Sequence, residues 1–207
     1  MISVNQNASQ LLSKHNENLV DKLLMSDDFS EQKVNVLFPV GFDANDELIS
    51  CDLEALPHLL ISGTTGSGKT AYVQSMLASL ASLYSGDELK FLLFDSKGIE
   101  YSDFNGLSNL LVPVITDSQK AVGALSWLCT ETMNRQKQLK ASGLRNIEEF
   151  NNTLKTKLPY IVAVLDDISQ ISMVCGIDKI EDSLFIVSLN NKKEGPPAFS
   201  ENLSERT

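Results

Sequence analysis

His58-Leu59-Leu60-Ile61-Ser62-Gly63-Thr64-Thr65-Gly66-Ser67-Gly68-Lys69-Thr70 is the stretch on which the reading of this chain turns. It opens as an apolar run of strand length. It closes on the pattern G-x-x-x-x-G-K-[ST], met by Gly63, Gly68, Lys69 and Thr70. The glycines permit backbone angles that turn successive amide N–H groups toward an anion. The following residues, Thr70 to Tyr84, have the small and apolar composition of a helix, whose positive end then faces the same point. Lys69 is placed to reach terminal phosphates, and the Thr70 hydroxyl to ligate magnesium. Gly63, Thr64, Thr65, Gly66, Ser67, Gly68, Lys69 and Thr70 are therefore the expected contacts of a nucleoside triphosphate, ATP, with Mg2+.

Outward from this loop, strand and helix patterns alternate. Lys90–Asp95, Leu110–Ile115, Tyr160–Asp166 and Ser183–Leu189 read as further strands, and Ser118–Ser142 as a long helix. In that helix Ala121, Ala124, Leu125, Leu128 and Met133 fall near helical spacing. Upstream, Val34–Val40 and Glu47–Cys51 read as a hairpin, with Gly41, Asp43, Asn45 and Asp46 in the turn. Such alternation predicts an α/β fold: a mostly parallel sheet covered by helices on both faces. Ligands of such sheets gather at the carboxyl ends of the strands. The phosphate loop follows one strand, Asp95 ends another, and Asp166 ends a third.

Tyr160-Ile161-Val162-Ala163-Val164-Leu165-Asp166-Asp167 is an apolar strand ending in two carboxylates. A strand that simply stops at acidic turn-formers would look the same. Downstream of a phosphate loop, Asp166 is the expected magnesium carboxylate. Asp167 then stands where a Glu commonly polarises the attacking water, one methylene shorter than that Glu.

Composition narrows the rest. At 207 residues the chain suits one domain, and 43% hydrophobic with 21% charged residues is ordinary for a globular protein. A count of 27 acidic against 17 basic residues excludes a surface that is basic all over. Any nucleic-acid contact is then local, such as the lining of an oligomer's channel. Cys51, Cys129 and Cys175 form no metal-ligand pattern and read as small core residues in a reducing compartment. No apolar run reaches membrane-span length and no signal peptide opens the chain, so a cytoplasmic location is expected. Residues 1–33, polar with Leu11, Leu12, Leu19, Leu23 and Leu24 roughly on one helical side, read as a leader to a domain spanning 34–207.

Beyond the single loop, an ordered series of segments resembles the FtsK/SpoIIIE-type DNA translocases. Pro57 to Thr70 is close to that family's loop region, and Phe94-Asp95-Ser96-Lys97 with Glu100 is similar to its Asp-Pro-Lys segment, with Ser96 in place of Pro. Leu111 to Asp117, Gly143-Leu144-Arg145-Asn146-Ile147 and Leu158-Pro159-Tyr160 continue the likeness, which spans roughly 34–170. The resemblance implies a RecA-like P-loop core, incomplete at the C-terminus against the family's pattern, in an ATP-driven homo-oligomeric ring, usually a hexamer, that moves double-stranded DNA. It also implies a hydrolysis-sensing Gln after the fifth strand. The comparable stretch here is Ser188-Leu189-Asn190-Asn191-Lys192, which offers Asn190 in that place. Lys69, Asp167 and Asn190 are the expected catalytic residues, and Thr70 and Asp166 the expected metal ligands. Two other readings stay open: a related motor of a secretion or conjugation apparatus, and a nucleotide-binding assembly module without turnover.

Overall fold

The computed structural model of the chain describes residues 11, 21–22, 25, 36–53, 55–56, 58–64, 66–166 and 184–188. Expectations for Thr65, Asp167, Asn190, Cys175 and most of residues 1–33 lie outside the described residues.

The first described strands form a hairpin, β1 (Leu37–Phe42) paired antiparallel with β2 (Leu48–Asp52). Its turn is held by the Asp43 carboxylate, which accepts the N–H groups of Asn45 and Glu47, each at 2.8 Å. Next come β3 (His58–Ile61), α1 (Lys69–Leu83) and β4 (Leu89–Asp95). They are followed by α2 (Ser118–Ser142), α3 (Ile147–Thr153), β5 (Tyr160–Asp166) and β6 (Leu184–Ser188). The hairpin is fastened to the core at the end of α1. There the Tyr84 hydroxyl accepts the Leu37 N–H at 2.7 Å and donates to the Leu37 carbonyl at 3.3 Å. Burial pushes that phenol's pKa up to about 12.

The main sheet has the order β3-β6-β5-β4. β4 and β5 are parallel, while β6 pairs antiparallel with both β5 and β3. Thus β3, β4 and β5 all run the same way and β6 alone runs against them. A parallel neighbour requires the chain to cross the whole sheet before re-entering, whereas an antiparallel one needs only a return.

Period-two alternation explains the two layers of helices. Phe91 and Leu93 of β4 and Val162 and Val164 of β5 join the cluster that holds Val73, Met76, Leu77 and Leu80 of α1. The intervening residues face the other way: Leu92, Ile161 and Ala163 pack with Leu128 of α2, and Phe94 and Leu165 with Ala121. Strands buried on both faces must read as unbroken apolar runs, as β4 and β5 do.

Three local readings are corrected. Leu110–Ile115 is not a strand: it touches β4 only at the bridges Phe91–Leu110 and Phe94–Ile115. Pro113 has no N–H to give a ladder, and Val114 donates its own to Asn105 Oδ1 at 2.9 Å. On α2, Met133 is half exposed and Thr132 is buried in its place. Thr132 tolerates this because its hydroxyl donates to the Leu128 carbonyl at 2.8 Å. The third correction is α3, which the sequence reading did not anticipate. Its signal was present in Asn146-Ile147-Glu148-Glu149, a capping box. Asn146 Oδ1 accepts the Glu149 N–H, and the Glu149 carboxylate accepts the Arg145 N–H, both at 2.7 Å.

Candidate functional site: a phosphate loop facing two strand-end carboxylates

Leu60, Phe185, Leu165 and Phe94 form one row across the sheet. One step further along β4 and β5 stand Asp95 and Asp166, partners in register. Along β3 the same direction leads through Ile61 and Ser62 to Gly63, where the loop begins. The sheet therefore brings Gly63, Asp95 and Asp166 to one edge, as expected for residues spread over more than a hundred positions of sequence.

Within the loop, Gly66 (φ 82°) and Gly68 (φ 92°) occupy left-handed backbone that a side chain would strain. The Ser67 N–H bonds the Thr64 carbonyl at 3.1 Å, tightening the turn. Lys69 folds back over it, its ammonium donating to the Gly63 carbonyl and lying 3.4 Å from the Thr64 carbonyl. Thr70 follows in the first turn of α1, half-buried.

The helix ends show what this loop is built to receive. α2 is capped by Asp117, which accepts the Lys120 N–H at 2.8 Å, and α3 by Asn146. α1 starts at Gly68 with no side-chain cap and no acidic residue in its first turn. Its leading N–H groups and positive dipole end are thus left for an external anion.

The two acidic positions are different in character. Asp95 is 1% exposed and its carboxylate is saturated by main chain. One oxygen accepts the N–H groups of Lys97 and Gly98, each at 3.0 Å; the other accepts those of Glu100 at 2.7 Å and Tyr101 at 3.1 Å. Asp95 thus shapes the 96–101 loop. Gln74 of α1 clamps the same loop, its Nε2 donating to the Glu100 carbonyl at 2.5 Å. This organising role was not legible from the sequence, where Asp95 was only a strand-end carboxylate. Asp166 is partly exposed at the site edge and remains the described carboxylate able to share a cation's shell.

These residues fit a magnesium–nucleotide. Among the described residues no cluster of three or more His, Cys, Asp or Glu could hold a metal by itself. Magnesium requires none, since it keeps several waters and takes one or two protein oxygens with the substrate's phosphates. Cys51 and Cys129 are free and half-buried, and burial raises both thiols' pKa, so neither is a nucleophile candidate.

The Gly143–Ile147 segment now has a physical account. Gly143 (φ 71°) ends α2, its N–H reaching the Leu139 and Lys140 carbonyls, and the Leu144 N–H bonds Leu139 at 3.0 Å. Asn146 starts α3, and Ile147 is buried. Only the Arg145 side chain is left facing solvent. Gly143→Ala should cost about 1–2 kcal/mol through the left-handed angle alone, read as a lower thermal midpoint with unchanged nucleotide affinity.

Fold and site together define a phosphate-loop ATPase core. Residues 19–187 match the FtsK/SpoIIIE family. The chain belongs to that family. It is 38% identical over 168 residues to the DNA translocase FtsK of Clostridium acetobutylicum, covering 79% of this chain and 22% of that protein. It is 38% identical over 161 residues to the DNA translocase FtsK of Campylobacter jejuni serotype O:2, covering 76% and 17%. The chain thus spans about a fifth of the length of these relatives. Among solved structures, the pCW3 conjugation coupling protein TcpA, in a monomer form with ATPgS, superposes with a TM-score of 0.56 at 27% identity. That match covers 76% of this chain and 42% of TcpA. The cytoplasmic domain of the Thermomonospora curvata type VII secretion ATPase EccC shares the fold, with a TM-score of 0.54 at 21% identity over 68% of this chain and 18% of that one. Among the described residues no helix is long and apolar enough to cross a membrane.

Proposed function

We propose that this chain is the ATP-binding motor core of a DNA translocase, working in a homo-oligomeric ring that couples hydrolysis to movement of double-stranded DNA. The observation that carries the reading is the uncapped start of α1 behind a complete phosphate loop, with Asp166 on the same sheet edge. The sequence family and its translocase relatives supply the cargo.

In this reading the loop's N–H groups and Lys69 hold the β- and γ-phosphates, and Thr70 with Asp166 supplies protein oxygens to a hydrated magnesium ion. Held there by Thr70 and Asp166, such an ion would supply positive charge against that developing on the phosphates. Asp167 draws a proton from the attacking water, and Asn190 stands in for the family's sensing Gln. A ring places the DNA contacts in its channel, which reconciles DNA binding with a formal net charge of −10.

The test is ATP hydrolysis by the purified chain, with and without duplex DNA, alongside sizing chromatography. Duplex DNA should raise turnover, and Asp167→Asn should lower it by a factor of about 100 or more while nucleotide still binds. Binding without turnover in the unaltered chain would favour an assembly module instead. Turnover indifferent to DNA but raised by a protein cargo would favour a secretion-type motor, the class of the EccC structure.

A further inference from the structure

Tyr101 is fully buried, packed edge-on to Phe104 with ring centroids 6.1 Å apart, inside the core cluster shared by α1, β4 and β5. Its hydroxyl is the buried side-chain polar atom that, among the described residues, has no hydrogen-bond partner. Such an atom is unfavourable in a core, and phenylalanine would pack the same space without it. The residue is nonetheless held firmly. Its N–H is tied to the Asp95 carboxylate at 3.1 Å, and the preceding residue is clamped to α1 by Gln74. Asp95 in turn stands in register with Asp166 across β4 and β5.

Burial above all, then the carboxylates of Asp166, Asp95 and Glu100 in decreasing influence, raise the phenol's pKa above its ordinary value. Like any phenol at neutral pH it carries an O–H to donate. Asp95 already accepts four backbone N–H groups and has no capacity left. Glu100 exerts the weakest influence of the three. By the same two-residue alternation, Asp166 follows Val162 and Val164 onto the sheet face against which Tyr101 packs, in register with Asp95.

We propose that Tyr101 is a positioning residue for Asp166, its hydroxyl donating to that carboxylate when the carboxylate shares the shell of a hydrated divalent cation. The inference rests on the assignment of Asp166 as the metal carboxylate. Groups that orient a metal's ligands commonly set affinity by a factor of ten or more when removed. Gln74 and Asp95 then link the phosphate-loop helix to the metal carboxylate through one buried ring.

Tyr101→Phe tests this in the full chain, because it deletes the oxygen and keeps the ring. Mn2+ serves as the probe, its binding followed by electron paramagnetic resonance with a non-hydrolysable ATP analogue present. Nucleotide binding in EDTA and the ligand-free thermal midpoint are the controls. The expected result is Mn2+ affinity weakened about tenfold, with metal-free nucleotide affinity unchanged and the midpoint equal or higher. Unaltered Mn2+ affinity would overturn the proposal, as would a Tyr101→Phe chain that is destabilised or unfolded, since the hydroxyl would then serve the fold. If the unaltered chain binds nucleotide but Asp166→Asn leaves its Mn2+ affinity intact, the assignment of Asp166 itself fails.

Discussion

Lys69→Ala should weaken ATP binding by a factor of about 100 and leave no measurable turnover. The ammonium is the charged donor that the structure places inside the loop, over the Gly63 and Thr64 carbonyls. A charge-assisted hydrogen bond contributes about 1.5–3 kcal/mol, which at its upper end corresponds to roughly a hundredfold in affinity. The transition state carries more charge on the terminal phosphate than the ground state, so turnover falls further than binding. The fold should be indifferent, because Lys69 contacts only loop carbonyls and takes no part in the core. Isothermal titration with ATP, a coupled hydrolysis assay and a thermal melt together check this. Retained affinity in a folded variant would remove Lys69 from the site.

The second large effect falls on stability. Asp95→Ala removes the buried carboxylate that four main-chain N–H groups share, and of these the Gly98 N–H keeps the Asp95 carbonyl at 3.0 Å as a second acceptor. Each buried unpaired donor costs about 1–3 kcal/mol, and part of that is recovered as the 96–101 loop relaxes toward water. A net loss of about 3–5 kcal/mol is expected, at the upper end of single substitutions. In a domain this size it corresponds to a drop in thermal midpoint of about 10 °C. Asp95→Asn should be milder, since its amide oxygen still accepts from one side of the loop. Chemical denaturation of both variants measures the difference. A loss below 1 kcal/mol for the alanine would mean the loop closes without its carboxylate.

What could be read beforehand follows the range of the interactions involved. The phosphate loop is a contiguous pattern whose chemistry depends on backbone angles that glycine permits, so Gly63 to Thr70 announces itself. The α2 limits and the β5 limits likewise follow from local cues, with Asp117 and Gly143 marking the helix ends. The direction of β6 depends on how the chain returns across the sheet, which no local pattern encodes. The saturation of Asp95 is equally remote, because it requires the 96–101 loop to close on a strand end. Nothing local marks Tyr101, since an unpaired hydroxyl is a property of its surroundings. The capping box at Asn146 and Glu149 was local and legible, and its neglect cost the reading of α3.

The bare start of α1 has a consequence for how the molecule responds to its surroundings. The α2 and α3 helices carry their own caps, but α1 leaves its leading N–H groups for the phosphate oxygens of the proposed ligand. The ligand is therefore also a structural part, and occupancy registers as heat resistance. At a hundredfold excess over its dissociation constant it adds about 2.7 kcal/mol to the folded state. Without its nucleotide the protein should be measurably softer, with local opening expected first at the phosphate-loop edge.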